Sequence, residues 1–244
     1  MIMLNCSVTP YINHISEKKI AGFPGICYQC NFYPNGYSDS IVKQLLGEHL
    51  HISLGRAVIK RRAEFVAGRY LARKALIALN ASTTIVETGA NREPLWPSAY
   101  VGSISHSNEF AICAVANKND VKTIGIDVEN FFDIKVAREI INNVLIESEH
   151  MLVGTLGEPN PIVLTIIFSA KESLFKALYS EVGHFFDFDA AQIEVIDFQT
   201  GKFKIKLVKK LGSTLPAGSS FEGTFEISKN QVFTTIICLN VGLR

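Results

Sequence analysis

The sequence predicts an α+β protein, and three observations carry that expectation. From Lys60 to Leu79, apolar Phe65, Val66, Tyr70, Leu71, Ala75, Leu76 and Leu79 recur at helical spacing against Arg62, Arg69 and Arg73, the pattern of an amphipathic helix. Three short apolar runs, Val101–Ile104, Ala111–Ala116 and Thr123–Val128, are separated by polar turns and read as adjacent strands, the middle one in a hairpin. Two further helical stretches are followed by a run of strands. Helices and strands grouped in this way, rather than strictly alternating, suit an α+β arrangement of two similar halves. The seam is expected near Lys122, giving halves 1–122 and 123–244, although no repeat is visible in the residues themselves.

Met1–Leu50 has scattered Gly, Pro and aromatic residues and reads as short strands and loops. After the 60–79 helix and the three apolar runs, a helix is expected from about Ile134 to Val153. A stronger one covers Val163–Tyr179, with Pro159 and Pro161 as breakers before it. Strands are expected at Gln192–Phe198, Lys202–Val208, Ser220–Ile227 and Gln231–Val241.

With 48% hydrophobic and 19% charged residues the chain is globular rather than disordered. A net charge of +1, from 24 basic and 23 acidic residues, provides no overall field for a nucleic-acid backbone or an anionic membrane. Any anion must therefore be met locally. Met1–Ser16 lacks a basic start followed by a long apolar segment, and Ile162–Phe168, the longest strongly apolar stretch, is too short to span a bilayer. A cytoplasmic protein is expected, with reduced thiols, because five cysteines show no disulfide framework. Cys27 and Cys30 form a C-x-x-C pair, but without a second pair or a strand-to-helix context a structural role is the expectation.

Ile124-Gly125-Ile126-Asp127-Val128-Glu129 sets two carboxylates two apart on an expected strand, where alternation turns both to one face. They are either a solvated strand end or a joint approach to one cation; magnesium takes one or two carboxylates and fills its remaining positions with water and phosphate. In Phe168-Ser169-Ala170-Lys171-Glu172-Ser173-Leu174-Phe175-Lys176, Glu172 and Lys176 share a helix face, as an ordinary ion pair or as part of a phosphate site. Asn91-Arg92-Glu93-Pro94 offers a cation in a loop stiffened by proline. Gly102-Ser103-Ile104-Ser105-His106-Ser107 brings a serine and a histidine to a strand end, as satisfied hydrogen-bonding groups or as donors to a phosphate.

In this order and at these separations, the four segments resemble the 4'-phosphopantetheinyl transferases of the surfactin-type superfamily, and within it the enterobactin synthetase component D type. Lys60-Arg61-Arg62-Ala63-Glu64-Phe65-Val66-Ala67-Gly68-Arg69 looks like the same subgroup, as does Phe168 where other members have tryptophan. The resemblance implies the 4'-phosphopantetheinyl transferase fold, a monomer of two pseudo-symmetric halves with coenzyme A in the cleft between them. The N-terminal half would supply nucleotide contacts, and the C-terminal half the metal ligands, the Lys-Glu helix and carrier docking. Asp127, Glu129 and Glu172 would hold magnesium, or manganese in its place, with Glu129 acting directly or through a water. Arg62, Arg92, Ser105, His106, Asp127, Lys171 and Lys176 match positions that contact coenzyme A or its phosphates. Arg61 and Arg69 are weaker matches.

The activity this implies is transfer of phosphopantetheine from coenzyme A to a serine of an apo carrier protein, peptidyl, aryl or acyl, with siderophore or other nonribosomal peptide synthesis suggested by the subgroup. Glu172 is the candidate base, and Lys176 or Lys171 would assist the leaving group. The alternatives are a magnesium-dependent phosphohydrolase and a non-catalytic relative that binds coenzyme A or carrier proteins. Phe131 and Phe132, just after the acidic strand, are either core or a partner contact.

Overall fold

The computed structural model describes residues 11–47 and 54–240. The first ten residues read for a secretory leader lie outside the described residues, as do Leu50 and Val241 at the ends of expected segments. In chain order the elements are β1 (Ile12–Glu17), β2 (Ile26–Phe32), α1 (Asp39–Leu46), α2 (Ile59–Ala78), β3 (Glu87–Thr88), β4 (Pro94–Leu95), β5 (Tyr100–Ser107), β6 (Phe110–Asn117) and β7 (Val121–Asn130). They continue with α3 (Ile134–Val144), β8 (Gly154–Thr155), β9 (Glu158–Pro159), α4 (Pro161–Val182), β10 (Ala191–Asp197), β11 (Lys202–Leu207), β12 (Ser220–Ile227) and β13 (Gln231–Leu239). This is the expected mixture of helix and strand. The chain divides into two compact units between Lys118 and Asn119, on the turn before β7.

In the first unit, β1, β2, β6 and β5 form an antiparallel sheet in that order. The helix α2, which the periodicity predicts, lies on this sheet through Ala63, Val66, Ala67, Leu71, Ala72, Ala75 and Leu76, all buried. Most are small, so the helix sits close: a Cβ on Gly68 would come 2.6 Å from Ile104 Cγ2. The short helix α1, which buries Val42, Leu45 and Leu46, is not among the sequence expectations. Eight residues are barely two turns, too few for periodicity to stand out. Cys27 and Cys30 lie three apart on β2, so alternation sends their side chains to opposite faces. Both are buried, and burial pushes the Cys30 thiol up to about 12.

In the second unit the sheet order is β10-β11-β12-β13-β7, antiparallel throughout. Here the expectation of three adjacent strands is corrected. β5 and β6 do form a hairpin, but β7 pairs with β13, Ile126 opposite Thr235 and Asp127 opposite Thr234. Local pattern identifies a strand without naming its neighbour. The expected helix at 134–153 is also corrected, because α3 ends at Val144, Leu145 is extended, and a 3-10 turn runs over Glu147–Leu152. The Glu149 carboxylate accepts a hydrogen bond from the Ile146 amide, which starts the turn afresh. The helix α4 runs longer than its apolar pattern suggests. Asn160 caps it by accepting from the Ile162 and Val163 amides, Pro161 takes the first helical position rather than breaking the chain, and Gly183 ends it at φ +72°. Leu164, Ile167, Leu174 and Leu178 of α4 pack with Ile193, Ile205 and Ile236 in this unit's core. Among the described residues no helix is long and apolar enough to cross a membrane.

Candidate active site

In the second unit, the site is built by how closely α4 lies against β7. Alternation puts Thr123, Gly125, Asp127 and Glu129 on one face of the strand. That this face meets α4 is shown by Thr123, whose hydroxyl donates to the Ala177 carbonyl. It is also shown by Gly125, where an added Cβ would come 1.8 Å from the Ser173 carbonyl oxygen. Small Ser169, Ala170, Ser173 and Ala177 on the helix permit this approach. Behind them, the hydroxyls of Ser169 and Ser173 lie 2.9 and 2.7 Å from that of Thr234, the residue paired with Asp127. The carboxylate of Asp127 is thereby held at a fixed height on the helix.

That height is the level of Lys176, whose ammonium donates to Asp127 Oδ1 at 2.7 Å. Asp127 is 2% exposed. Glu172 stands one helical turn before Lys176 and is half-buried. Burial pushes its carboxyl above the ordinary range, Lys176 pulls it back, and the Asp127 carboxylate pushes it up again. Two carboxylates that oppose each other's charge therefore lie around one lysine. Glu129 follows on the Asp127 face, half-buried. Among the described residues no three His, Cys, Asp or Glu side chains are grouped as a metal site, so Asp127, Glu129 and Glu172 are not assembled as a complete protein cage. A cavity of about 250 Å³ is lined by Lys171 and Glu172 and walled by Phe175, Phe185, Phe186 and Phe188. Rings stack at 5.2 Å between Phe175 and Phe185.

Lys171 is bonded within the protein. Its side chain is 2% exposed, and its ammonium donates to Glu149 Oε2 at 2.6 Å, the Val144 carbonyl at 2.9 Å and the Phe188 carbonyl at 3.1 Å. Three donors meet three acceptors, all within the protein. Phe132 lies on the core side of its two readings: its ring packs edge-on to Phe168 at 5.4 Å, and its amide donates to Thr165.

In the first unit, His106 on β5 and Arg61 on α2 meet, with Arg61 Nη1 3.0 Å from His106 Nε2. A guanidinium can only donate, so Nε2 accepts and the ring proton sits on Nδ1, 3.9 Å from Glu64 Oε2. Arg61 remains nearly half exposed, at 45%. The sequence ranked it below Arg62 because adjacent arginines on a helix look alike; the angle that separates them follows only from which face meets the sheet. Arg62 turns instead to Asp39 at 2.9 Å and to the Ala57 and Gly55 carbonyls. Arg69 is buried, donates to the Glu87 carbonyl and to Thr88, and lies over the Phe65 ring. Both arginines are thus bonded to groups of their own unit. Ser105 is buried on the strand face opposite His106, for the same alternation reason. Arg92 stands exposed at the turn between β3 and β4, with φ +68° and its amide donating to the Gly89 carbonyl.

Residues 48–116 match the family described as the 4'-phosphopantetheinyl transferase N-terminal domain, and residues 123–233 match the 4'-phosphopantetheinyl transferase superfamily. Enterobactin synthase component D of Escherichia coli K12 is 37% identical over 127 residues, 52% of this chain and 59% of that protein. The chain spans between 54% and 59% of the length of the enterobactin synthase component D proteins it matches. The 4'-phosphopantetheinyl transferase Svp of Streptomyces mobaraensis is 34% identical over 194 residues, 78% of this chain and 76% of Svp. The transferase PptT of Mycobacterium tuberculosis is 27% identical over 224 residues, 88% of this chain and 95% of PptT.

Proposed function

The chain belongs to the 4'-phosphopantetheinyl transferase family, and from that premise we propose that it transfers the 4'-phosphopantetheine arm of coenzyme A to a serine of an apo carrier protein, releasing adenosine 3',5'-bisphosphate. The observation that carries this reading is the seating of α4 on β7, which gathers Asp127, Glu172 and Lys176 into one partly buried cluster.

Opposed carboxylates beside a single lysine suit magnesium, which takes one or two carboxylates and completes its shell with phosphate and water. Asp127 and Glu172 would hold it, or manganese in its place, with Glu129 available on the same strand face. Bound there, the ion supplies neutralisation of the charge that grows on the pyrophosphate oxygens. The protein's own groups do the rest. A bond forms between the carrier serine oxygen and the phosphorus bearing the arm, and the bond from that phosphorus to the oxygen of adenosine bisphosphate breaks. The serine proton passes to Glu172, on the carboxylate oxygen that the ion would leave free. Lys176 faces the departing phosphate charge. Arg61, His106 and Arg92 of the first unit are assigned to the nucleotide phosphates, each as a charge-bearing or hydrogen-bonding group at the surface.

The likeness to enterobactin synthase component D makes aryl and peptidyl carriers of siderophore assembly the first substrates to try, with acyl carriers next. The enzyme works as a cytoplasmic monomer in this reading, in keeping with the free thiols of Cys30, Cys113 and Cys238. Apo aryl, peptidyl and acyl carriers incubated with coenzyme A and magnesium test it. Intact mass should show the gain of one phosphopantetheine, dependent on both additions. Folded enzyme that modifies none of the three carriers overturns the reading.

A further inference from the structure

Lys171 precedes Glu172 on α4, yet it faces into the protein, and its three hydrogen bonds reach three separate segments. Glu149 is fully buried and uses both of its oxygens. Oε2 accepts from Lys171 and from the Ile146 amide at 2.9 Å, and Oε1 accepts from the Ile193 amide at 2.7 Å. Two buried charges therefore join the end of α3, the 147–152 turn, α4 and the 188–193 stretch. Burial lowers the Lys171 ammonium from its ordinary value, and the Glu149 carboxylate works against that. Phe188 and Ile193, tied at the two ends of this network, bracket the start of β10. The same stretch begins with Phe185, Phe186 and Phe188, the aromatic wall of the cavity beside Glu172.

Resting on the transferase reading, we propose that Lys171 and Glu149 are a positioning pair: they fix residues 185–193, and so the cavity wall facing Glu172, while Lys171 itself makes no contact with the phosphates of coenzyme A. An alkyl chain ending in an ammonium reaches either a ligand or the protein's own acceptors with its three N–H groups, and here all three are used inside. Glu149 is fully buried with both oxygens bonded inside the protein, so it has no route to a phosphate. A catalytic effect of removing Glu149 must then pass through geometry.

The test is a double-mutant cycle of Glu149→Gln, Lys171→Met and both together, read by single-turnover transfer, by calorimetric affinity for coenzyme A and adenosine 3',5'-bisphosphate, and by amide hydrogen exchange. Each single variant should slow transfer about 10–100-fold, the scale of a displacement of roughly 1 Å at a reacting group. The double variant should be no slower than the worse single, because both break one unit. Exchange over 185–193 should quicken alike in all three, with affinity for adenosine 3',5'-bisphosphate unchanged. Losses that multiply in the double variant, or affinity lost in Lys171→Met but not in Glu149→Gln, would overturn the proposal and return Lys171 to the ligand. Full-rate transfer in either single variant would overturn it too. If a lone buried charge prevents the singles from folding, Glu149→Leu with Lys171→Met removes both charges at once. In that protein slow transfer with unchanged nucleotide affinity supports the pair, and either full-rate transfer or weakened affinity overturns it. Wild-type enzyme inactive on every carrier sinks the transferase reading instead, while hydrogen exchange still reports whether the pair holds 185–193.

Discussion

Replacing Gly125 by alanine tests whether the close seating of α4 on β7 creates the site. The added methyl would lie 1.8 Å from the Ser173 carbonyl oxygen and 2.7 Å from the Ala177 amide nitrogen. Ordinary contact begins near 3.4 Å, so the helix must retreat by about 1.6 Å. The clash is with backbone, and no rotamer change relieves it. Overpacking of this kind costs about 1–3 kcal/mol, occasionally more. At about 2–4 °C per kcal/mol for a chain of this size, Tm should fall on the order of 5 °C. Because Glu172 and Lys176 flank Ser173, they move with it, away from Asp127 on the strand. A 1 Å misplacement can cost about 10²-fold in rate, so transfer should slow by at least that factor, measured as single turnovers at saturating coenzyme A and carrier, well below the unfolding temperature. Gly125→Ala with the wild-type rate and Tm would mean that the close seating of α4 does not build the site, since α4 would then tolerate displacement without consequence to it.

Glu172→Gln keeps the shape and removes the base, so turnover should fall by roughly 10²–10⁴-fold while calorimetry still shows coenzyme A bound; near-normal turnover would remove Glu172 from the chemistry. Neighbouring arginines should separate: Arg61→Ala weakens coenzyme A binding by about 1–3 kcal/mol, whereas Arg62→Ala lowers Tm and leaves affinity unchanged, because its partners are Asp39 and two carbonyls. Both effects exchanged between the two variants would reverse the assignment. With burial raising its pKa to about 12, Cys30 carries almost no thiolate below pH 10. Alkylation followed by mass spectrometry should therefore leave it unmodified at pH 8 in the folded protein and modify it after denaturation, and rapid labelling of the native protein would contradict its buried environment.

Much of the fold could be read from local patterns. The arginine-spaced apolar stripe of α2, the alternating carboxylates of β7 and the turns bounding β11, β12 and β13 depend on neighbours in the chain, and so they are present in the sequence as periodicities. The face shared by Asp127 and Glu129 follows from strand alternation alone, and Lys176 from helical spacing to Glu172. What the chain does beyond that was suggested by co-occurring motifs, which name residue types at given separations but not the direction in which each side chain turns.

Those directions were decided by contacts between segments far apart in sequence. Lys171 and Lys176 are equally basic members of one helix, yet one is neutralised inside by Glu149 and the other reaches Asp127, because α4 has β7 on one side and the 188–193 stretch on another. Arg61 and Arg62 diverge for the same kind of reason: Asp39, far back in the chain, captures one and leaves the other beside His106. The pairing of β7 with β13 rather than β6 likewise joins residues about a hundred positions apart, a choice that no local periodicity records. The residues alone thus give α2, α4 and most strands of the second unit, the strand face carrying Asp127 and Glu129, and the family resemblance. Only the fold sets which charged groups are buried against internal partners, as Lys171 is, and which stay partly exposed, as Arg61 is, since burial and partner geometry are properties of the folded chain.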